Sequence, residues 1–111
     1  MKSKAKNLMN DETIMLQVRN EDVQKASLLF DRHYKRIYNY FVRNTMNKMI
    51  SQDLTQDVFH RMIRYRKSYQ SNYRFLPWIY RIARNVMMDH FKHKDKRQIV
   101  DLNETVYENM F

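Results

Sequence analysis

Asp53, Gln56, Asp57 and His60 recur at i, i+3, i+4 and i+7, so a helix through them carries two carboxylates, an amide and an imidazole on one face. Paired carboxylates beside a histidine could do general acid–base work, but that chemistry needs a pocket, and nothing around them implies one. Leu54, Val58 and Met62 form a separate apolar stripe that Phe59 and Ile63 widen, so the core lies to one side and the polar row points outward. Spacing alone fits a solvated helix surface best. The functional reading is a docking face for a protein partner.

A second constellation follows. Lys67 to Arg74 (Lys-Ser-Tyr-Gln-Ser-Asn-Tyr-Arg) has no apolar period and reads as an exposed loop bearing Tyr69, Ser71, Asn72 and Tyr73 between cations. Beyond it a helix groups Trp78, Arg81, Arg84, Asn85, Met88 and Lys92 on the side opposite a stripe of Ile79, Ile82, Ala83 and Val86. Rings beside cations suit single-stranded or opening DNA, where unstacked bases offer π faces worth roughly 1–3 kcal/mol each. The plainer reading of Tyr69, Tyr73 and Trp78 is that they cap the core. Arg84, Asn85 and Lys92 have less reason to face inward. His90 and His93 are three apart on the same helix, but no cysteine or acidic pair joins them, so no metal site is read. The chain has no glycine, which excludes a glycine-rich phosphate loop.

The elements that position these groups must be helices. With no glycine and Pro77 as the single proline, hairpins and tight strand turns lack their usual residues. Asn10, Asn20, Asn47 and Asn72 sit where periodicity stops or starts and are expected to take the left-handed positions. A short helix with Ile14, Met15 and Val18 is expected after an Asn10 or Asp11 cap, stopping near Asn20. A longer one runs from Glu21 or Asp22 to about Asn47 on Ala26, Phe30, His33, Ile37, Tyr40, Phe41 and Asn44. A third is expected from a Ser51 cap to about Tyr65 or Lys67, and a fourth from Pro77 to about Lys94. Met9, Met46, Met49, Met62, Met87 and Met88 read as core or gap filler. Residues 1–10 form a leader with no signal peptide or spanning segment, and a cytoplasmic location follows by default.

At 111 residues without cysteine, the chain is one domain that stands on packing alone. Its net charge of +9 is uneven: Arg61 to Arg97 holds eleven basic and two acidic side chains, whereas Gln98 onward has three acids and no base. That distribution favours a polyanion contact in the second half over a mixed solvated surface.

Residues from about Asp11 to Arg97 resemble the N-terminal region 2 domain of extracytoplasmic-function (ECF) sigma factors. Asn20-Glu21-Asp22 through Tyr34 is similar to the family's opening helix pair. Asp53-Leu54-Thr55-Gln56-Asp57-Val58-Phe59 is similar to its D-L-x-Q-E-x-F segment. Phe75-Leu76-Pro77-Trp78-Ile79-Tyr80-Arg81-Ile82-Ala83-Arg84-Asn85, with Asp89 and His90 following, resembles its F-x-x-W-L-Y-R-I-A-x-N segment. The resemblance implies an all-α bundle of about four helices of the sigma region 2 kind. It implies docking on the β′ clamp coiled coil of core RNA polymerase through Asp53, Gln56, Asp57, His60 and Arg61. It implies reading and opening of the promoter −10 element as a partly single-stranded DNA partner. Tyr69, Ser71, Asn72 and Tyr73 would line a flipped-base pocket, with Lys67, Arg74, Trp78, Arg81, Arg84, Asn85 and Lys92 around it and toward the backbone. An anti-sigma factor covering the same two faces is the further partner implied, and no cofactor is.

The loop lacks the glycine and the acid often found in the family, so base preference does not transfer. No helix-turn-helix of the family's region 4 follows, and residues 98–111 read as the start of an interdomain linker or tail. The reading is a non-enzymatic transcription initiation factor domain. Its chief rival is a helical nucleic-acid-binding adaptor unrelated to initiation; a basic membrane-surface protein fits less well, because the aromatic residues are spread over several helices.

Overall fold

In a computed structural model the described residues form a bundle of four α-helices joined by short turns, with no strand among them. The structure describes the backbone of residues 9–110 and the side chains of residues 9–93. Helix α1 is Asp11–Arg19, α2 is Ala26–Thr45, α3 is Lys48–Arg64 and α4 is Phe75–Met110. Single 3-10 turns at Val23–Lys25 and Arg66–Ser68 lead into α2 and out of α3.

Helix α1 starts where the sequence marks it, with the Asn10 side chain accepting from the Thr13 amide and two acids on the first turn. Helix α3 starts at Lys48, earlier than the Ser51 expected, because Asn47 in extended backbone takes the cap and accepts from the Ile50 amide. Ser51 is instead buried and ties the α2–α3 joint together. Its hydroxyl donates to the Asn47 carbonyl at 2.7 Å and meets the Thr45 hydroxyl at 2.9 Å.

The left-handed positions do not fall on asparagine. They fall on Glu21 (φ 81°) and Met46 (φ 55°), the only positive-φ residues among those described. Asn47 is needed as the N-cap of α3, which requires extended backbone, so Met46 before it takes the left-handed turn, and past α1 the turn falls on Glu21, one residue beyond the Asn20 C-cap. Glu21 is held in place by ion pairs to Arg66 and Lys67. Its carboxylate pKa lies below the ordinary value because Lys67 hydrogen-bonds and attracts the charged form.

Each helix contributes one stripe to a common core: Ile14, Met15 and Val18 from α1, Leu29, Ile37 and Phe41 from α2, Val58 and Met62 from α3, and Phe75, Ile79, Ala83 and Val86 from α4. On α2 the stripe differs from the expected one. Leu29 is buried where Phe30 was expected, Phe30 and Tyr40 are half-buried, and Asn44 is exposed with its amide donating to the Tyr40 carbonyl. The methionines also divide. Met62 and Met87 are core, whereas Met46, Met49 and Met88 are 84%, 77% and 60% exposed, since two flank the α2–α3 joint and one sits on the outer face of α4.

Helix α4 begins at Phe75 with Pro77 in its first turn, where a missing N–H costs nothing, and continues to Met110 rather than stopping near Lys94. The sequence from Gln98 has no apolar period, but it also has no glycine or proline to end a helix already propagating. Of the expected leader, residues 1–10, the first eight lie outside the described residues, as do the side chains of the basic run beyond His93, while Asn10 caps α1.

Candidate protein-docking and nucleic-acid interfaces

Helix α3 presents the polar row as its spacing predicts. Asp53, Gln56 and His60 are exposed and Asp57 is half-exposed, while Leu54, Val58 and Phe59 are buried behind them. Gln56 and His60 also form the rim of a cleft of about 330 Å³ walled by Phe30 of α2 and Phe59, Met62 and Ile63 of α3. The Phe30 and Phe59 rings meet edge to face at 5.0 Å and floor the cleft beside Gln56 and His60. Sequence reasoning missed Phe30 as part of this face; only the widening of the α3 stripe by Phe59 and Ile63 hinted at it.

Arg61 does not project from that row as a free cation. Its Nε lies 3.3 Å from Asp57 Oδ1, and its Nη1 lies 2.9 Å from Asp89 Oδ2 on α4. Burial works to lower the Arg61 pKa, but the Asp89 hydrogen bond and the Asp57 charge outweigh it and hold the guanidinium above its ordinary value. The residue therefore bridges the two helices that carry the two candidate faces.

The loop after α3 and the first turns of α4 enclose two neighbouring clefts. The larger, about 480 Å³, is lined by Asn72, Tyr73, Arg74, Pro77, Trp78, Arg81 and Arg84. The smaller, about 240 Å³, is lined by Tyr65, Ser68, Tyr73, Trp78, Arg81, Ile82 and Asn85. Tyr73, Trp78 and Arg81 wall both, so the clefts are two sides of one ridge. Arg74, Arg81 and Arg84 are exposed and form no ion pair with an acid among the described residues. From Val58 to Met88 the sequence contains no acid at all. Unpaired guanidinium groups around half-buried rings can hold phosphate oxygens while a base lies against the ridge.

Three of the residues expected here do other work. Tyr69 is fully buried beneath the loop, its hydroxyl donating to the Tyr73 carbonyl at 2.7 Å and its ring edge-on to Trp78 at 5.0 Å. Burial, reinforced by the charges of Glu12 and Asp11, pushes the Tyr69 phenol up to about 12. It shapes the site from below and cannot line a base pocket. Lys67 turns away to the end of α1, donating to the Arg19 carbonyl at 2.8 Å and pairing with Glu21. Trp78 is 9% exposed, so it is core with one edge left in the clefts.

Ser71 and Lys92 are exposed but line neither cleft. Tyr65 and Ser68 were not foreseen as lining residues; Tyr65 precedes the aperiodic loop and Ser68 is its second residue, and the 3-10 turn Arg66–Ser68 brings both beside Asn85. Among the described residues no cluster of three histidine, aspartate or glutamate side chains could hold a metal, and no helix is long and apolar enough to cross a membrane.

Comparison with known proteins agrees with this architecture. The chain is 36% identical over 66 residues to the RNA polymerase sigma factor CarQ of Myxococcus xanthus, covering 60% of this chain and 38% of that protein. It is 28% identical over 74 residues to the ECF RNA polymerase sigma factor SigM of Bacillus subtilis, covering 66% and 45%. It is 32% identical over 82 residues to the ECF RNA polymerase sigma factor BldN of Streptomyces coelicolor, covering 73% and 31%. The chain thus spans less than half the length of these curated relatives. Its fold is similar to an NMR structure of an engineered region 2 of sigmaE in complex with GTAAAA, with a TM-score of 0.74 and 24% identity over 80% of this chain and 93% of that one. Residues 29–97 match the family Sigma-70 region 2, and the chain belongs to that family.

Proposed function

We propose that this chain works as the region 2 part of an ECF-type sigma factor, a transcription initiation factor and not an enzyme, with residues 11–97 as the working unit. The α3 row of Asp53, Gln56, Asp57 and His60, with the apolar cleft beside it, docks on the β′ clamp helices of core RNA polymerase. The ridge of Tyr73 and Trp78 takes an unstacked base of the promoter −10 element, while Arg74, Arg81 and Arg84 hold the strand and Asn85 faces the base edge. An anti-sigma factor that covers either face would silence the protein, and the place of action is the cytoplasm.

The observation that carries this reading is the division of labour across Arg61. An acidic and amide face lies on α3, an acid-free aromatic and cationic cleft lies on α4, and one guanidinium holds the two helices in register. The relatives are named as sigma factors, and the neighbour of the same fold is described as a region 2 in complex with GTAAAA, which supports a nucleic-acid partner.

Binding to core RNA polymerase tests it directly. Wild type should bind with micromolar or tighter affinity, and Asp53→Ala with Gln56→Ala should lose at least tenfold while keeping its helical spectrum. A folded wild type that binds no polymerase would sink the initiation reading and leave the basic cleft as a site on some other nucleic acid.

A further inference from the structure

The cationic surface does not end at α4. Tyr80 of α4 meets Tyr40 of α2 edge to face, ring centroids 5.8 Å apart, and this contact is a seam between the two helices. Arg36 lies one turn before Tyr40 and Arg43 nearly one turn after it on α2, while Arg84 lies one turn after Tyr80 on α4. All three arginines are exposed, and none pairs with an acid among the described residues. Asn39 is exposed between the two α2 arginines. The sequence from Arg32 to Gln52 contains no acid, so α2 beyond Asp31 matches the acid-free stretch of α4 across the seam. Arg84 also lines the larger cleft, which makes the strip continuous with the candidate single-strand site.

We infer that Arg36 and Arg43, with Asn39 between them, bind the phosphate backbone of duplex DNA adjoining the single strand held at the α4 cleft. This extends the nucleic-acid reading of that cleft and rests on it. The ligand is a duplex backbone because the chemistry differs on the two sides of the seam. The cleft has rings on which a base can stack, whereas on the Arg36–Arg43 face of α2 the half-buried Tyr40 ring is already engaged by Tyr80, and the exposed groups left are cations and an amide, which read phosphate and not base. Arg36 and Arg43 stand about 10 Å apart along the helix axis, about three base-pair steps of one strand. Their forked donors suit phosphate oxygens held in place by pairing. An acidic protein segment could also meet these cations, but it would have no reason to be continuous with the strand in the cleft.

The test is fluorescence anisotropy at low salt with three labelled probes: a single-stranded hexamer, and the same hexamer joined at either end to about one turn of duplex. Wild type should bind one of the two junctions more tightly than the hexamer. Arg36→Gln with Arg43→Gln should weaken that junction by about tenfold and leave the hexamer unchanged. The slope of log affinity against log salt should fall by about 1.8 for two lost phosphate contacts. A folded double variant that binds both junctions with wild-type affinity and slope overturns the inference and leaves the single-strand reading standing. Equal loss on the hexamer places these arginines on the single strand and overturns the duplex assignment. No binding of any probe by wild type overturns both.

Discussion

The carboxylate of Glu12 accepts a hydrogen bond from the backbone amide of Phe75 at 2.7 Å, so the first helix caps the last one. Phe75 opens α4, and its N–H is one of the four that no residue inside the helix can satisfy. A negative charge there also sits at the positive end of the helix dipole. Next to it, Asp11 lies 3.0 Å from Arg32 and 2.9 Å from His33 Nε2, and the His33 ring packs 5.1 Å from that of Phe75. Helix α1 therefore fixes where α4 begins, and with it the ridge that walls both clefts.

Glu12→Ala is accordingly expected to destabilise the fold by about 1 kcal/mol, the usual cost of losing a cap. Glu12→Gln should cost less, since an amide oxygen still accepts but carries no charge for the dipole. Urea unfolding followed by circular dichroism measures both. Equal midpoints for wild type and Glu12→Ala would mean that water caps Phe75 equally well and that α1 does not position α4.

Glu12 also marks the limit of what the sequence discloses. Helix period and the polar row on α3 were legible because neighbours three and four apart share a face whatever the tertiary structure. The cap at Asn10 was legible, whereas Asn47, expected at a left-handed position, caps α3 in place of Ser51 because only packing shows that Ser51 is inside. Long-range partners were not legible: nothing local in Glu12, Lys67 or Arg61 tells that they reach Phe75, Arg19 and Asp89. The site shows the same division. Asn72, Tyr73, Arg74, Trp78, Arg81, Arg84 and Asn85 come together as loop and helix register require. Tyr69 looks identical to Tyr73 in sequence, and only the turn between them sends one ring into the core and leaves the other at the edge.

Trp78 is the sole tryptophan and has one edge in both clefts, so its emission reports on their occupancy. A single-stranded hexamer should quench it as a base displaces water from the ridge. Arg81→Ala with Arg84→Ala should weaken the midpoint of that quenching by about tenfold, or about 1.4 kcal/mol, by removing charge-assisted phosphate contacts. Lys67→Ala should leave the midpoint unchanged, because Lys67 is tied to the end of α1. If Lys67→Ala weakened the strand as much as the double arginine variant, the cleft would not be the binding site and a diffuse field would account for the affinity.

Tyr69 carries a pH dependence of defined sign. Its phenol is pushed up to about 12 in the folded protein, against about 10 when unfolded, so the folded state holds the proton longer. The stabilisation is fully present below about pH 10 and is lost as pH rises toward 12, a change of roughly 2–3 kcal/mol. Ionisation also removes the donor to the Tyr73 carbonyl, so the loop bearing Asn72 and Arg74 loosens with it. Tyr69→Phe lacks both the hydrogen bond and the titration. Below pH 10 it should be less stable than wild type by about 1 kcal/mol, the net worth of one hydrogen bond. Near pH 12 the order should reverse, while the other tyrosines titrate alike in both proteins. Urea unfolding of the pair across pH 9 to 12 decides the matter: curves that fall in parallel with a constant gap would show that the Tyr69 phenol titrates as it does in the unfolded chain.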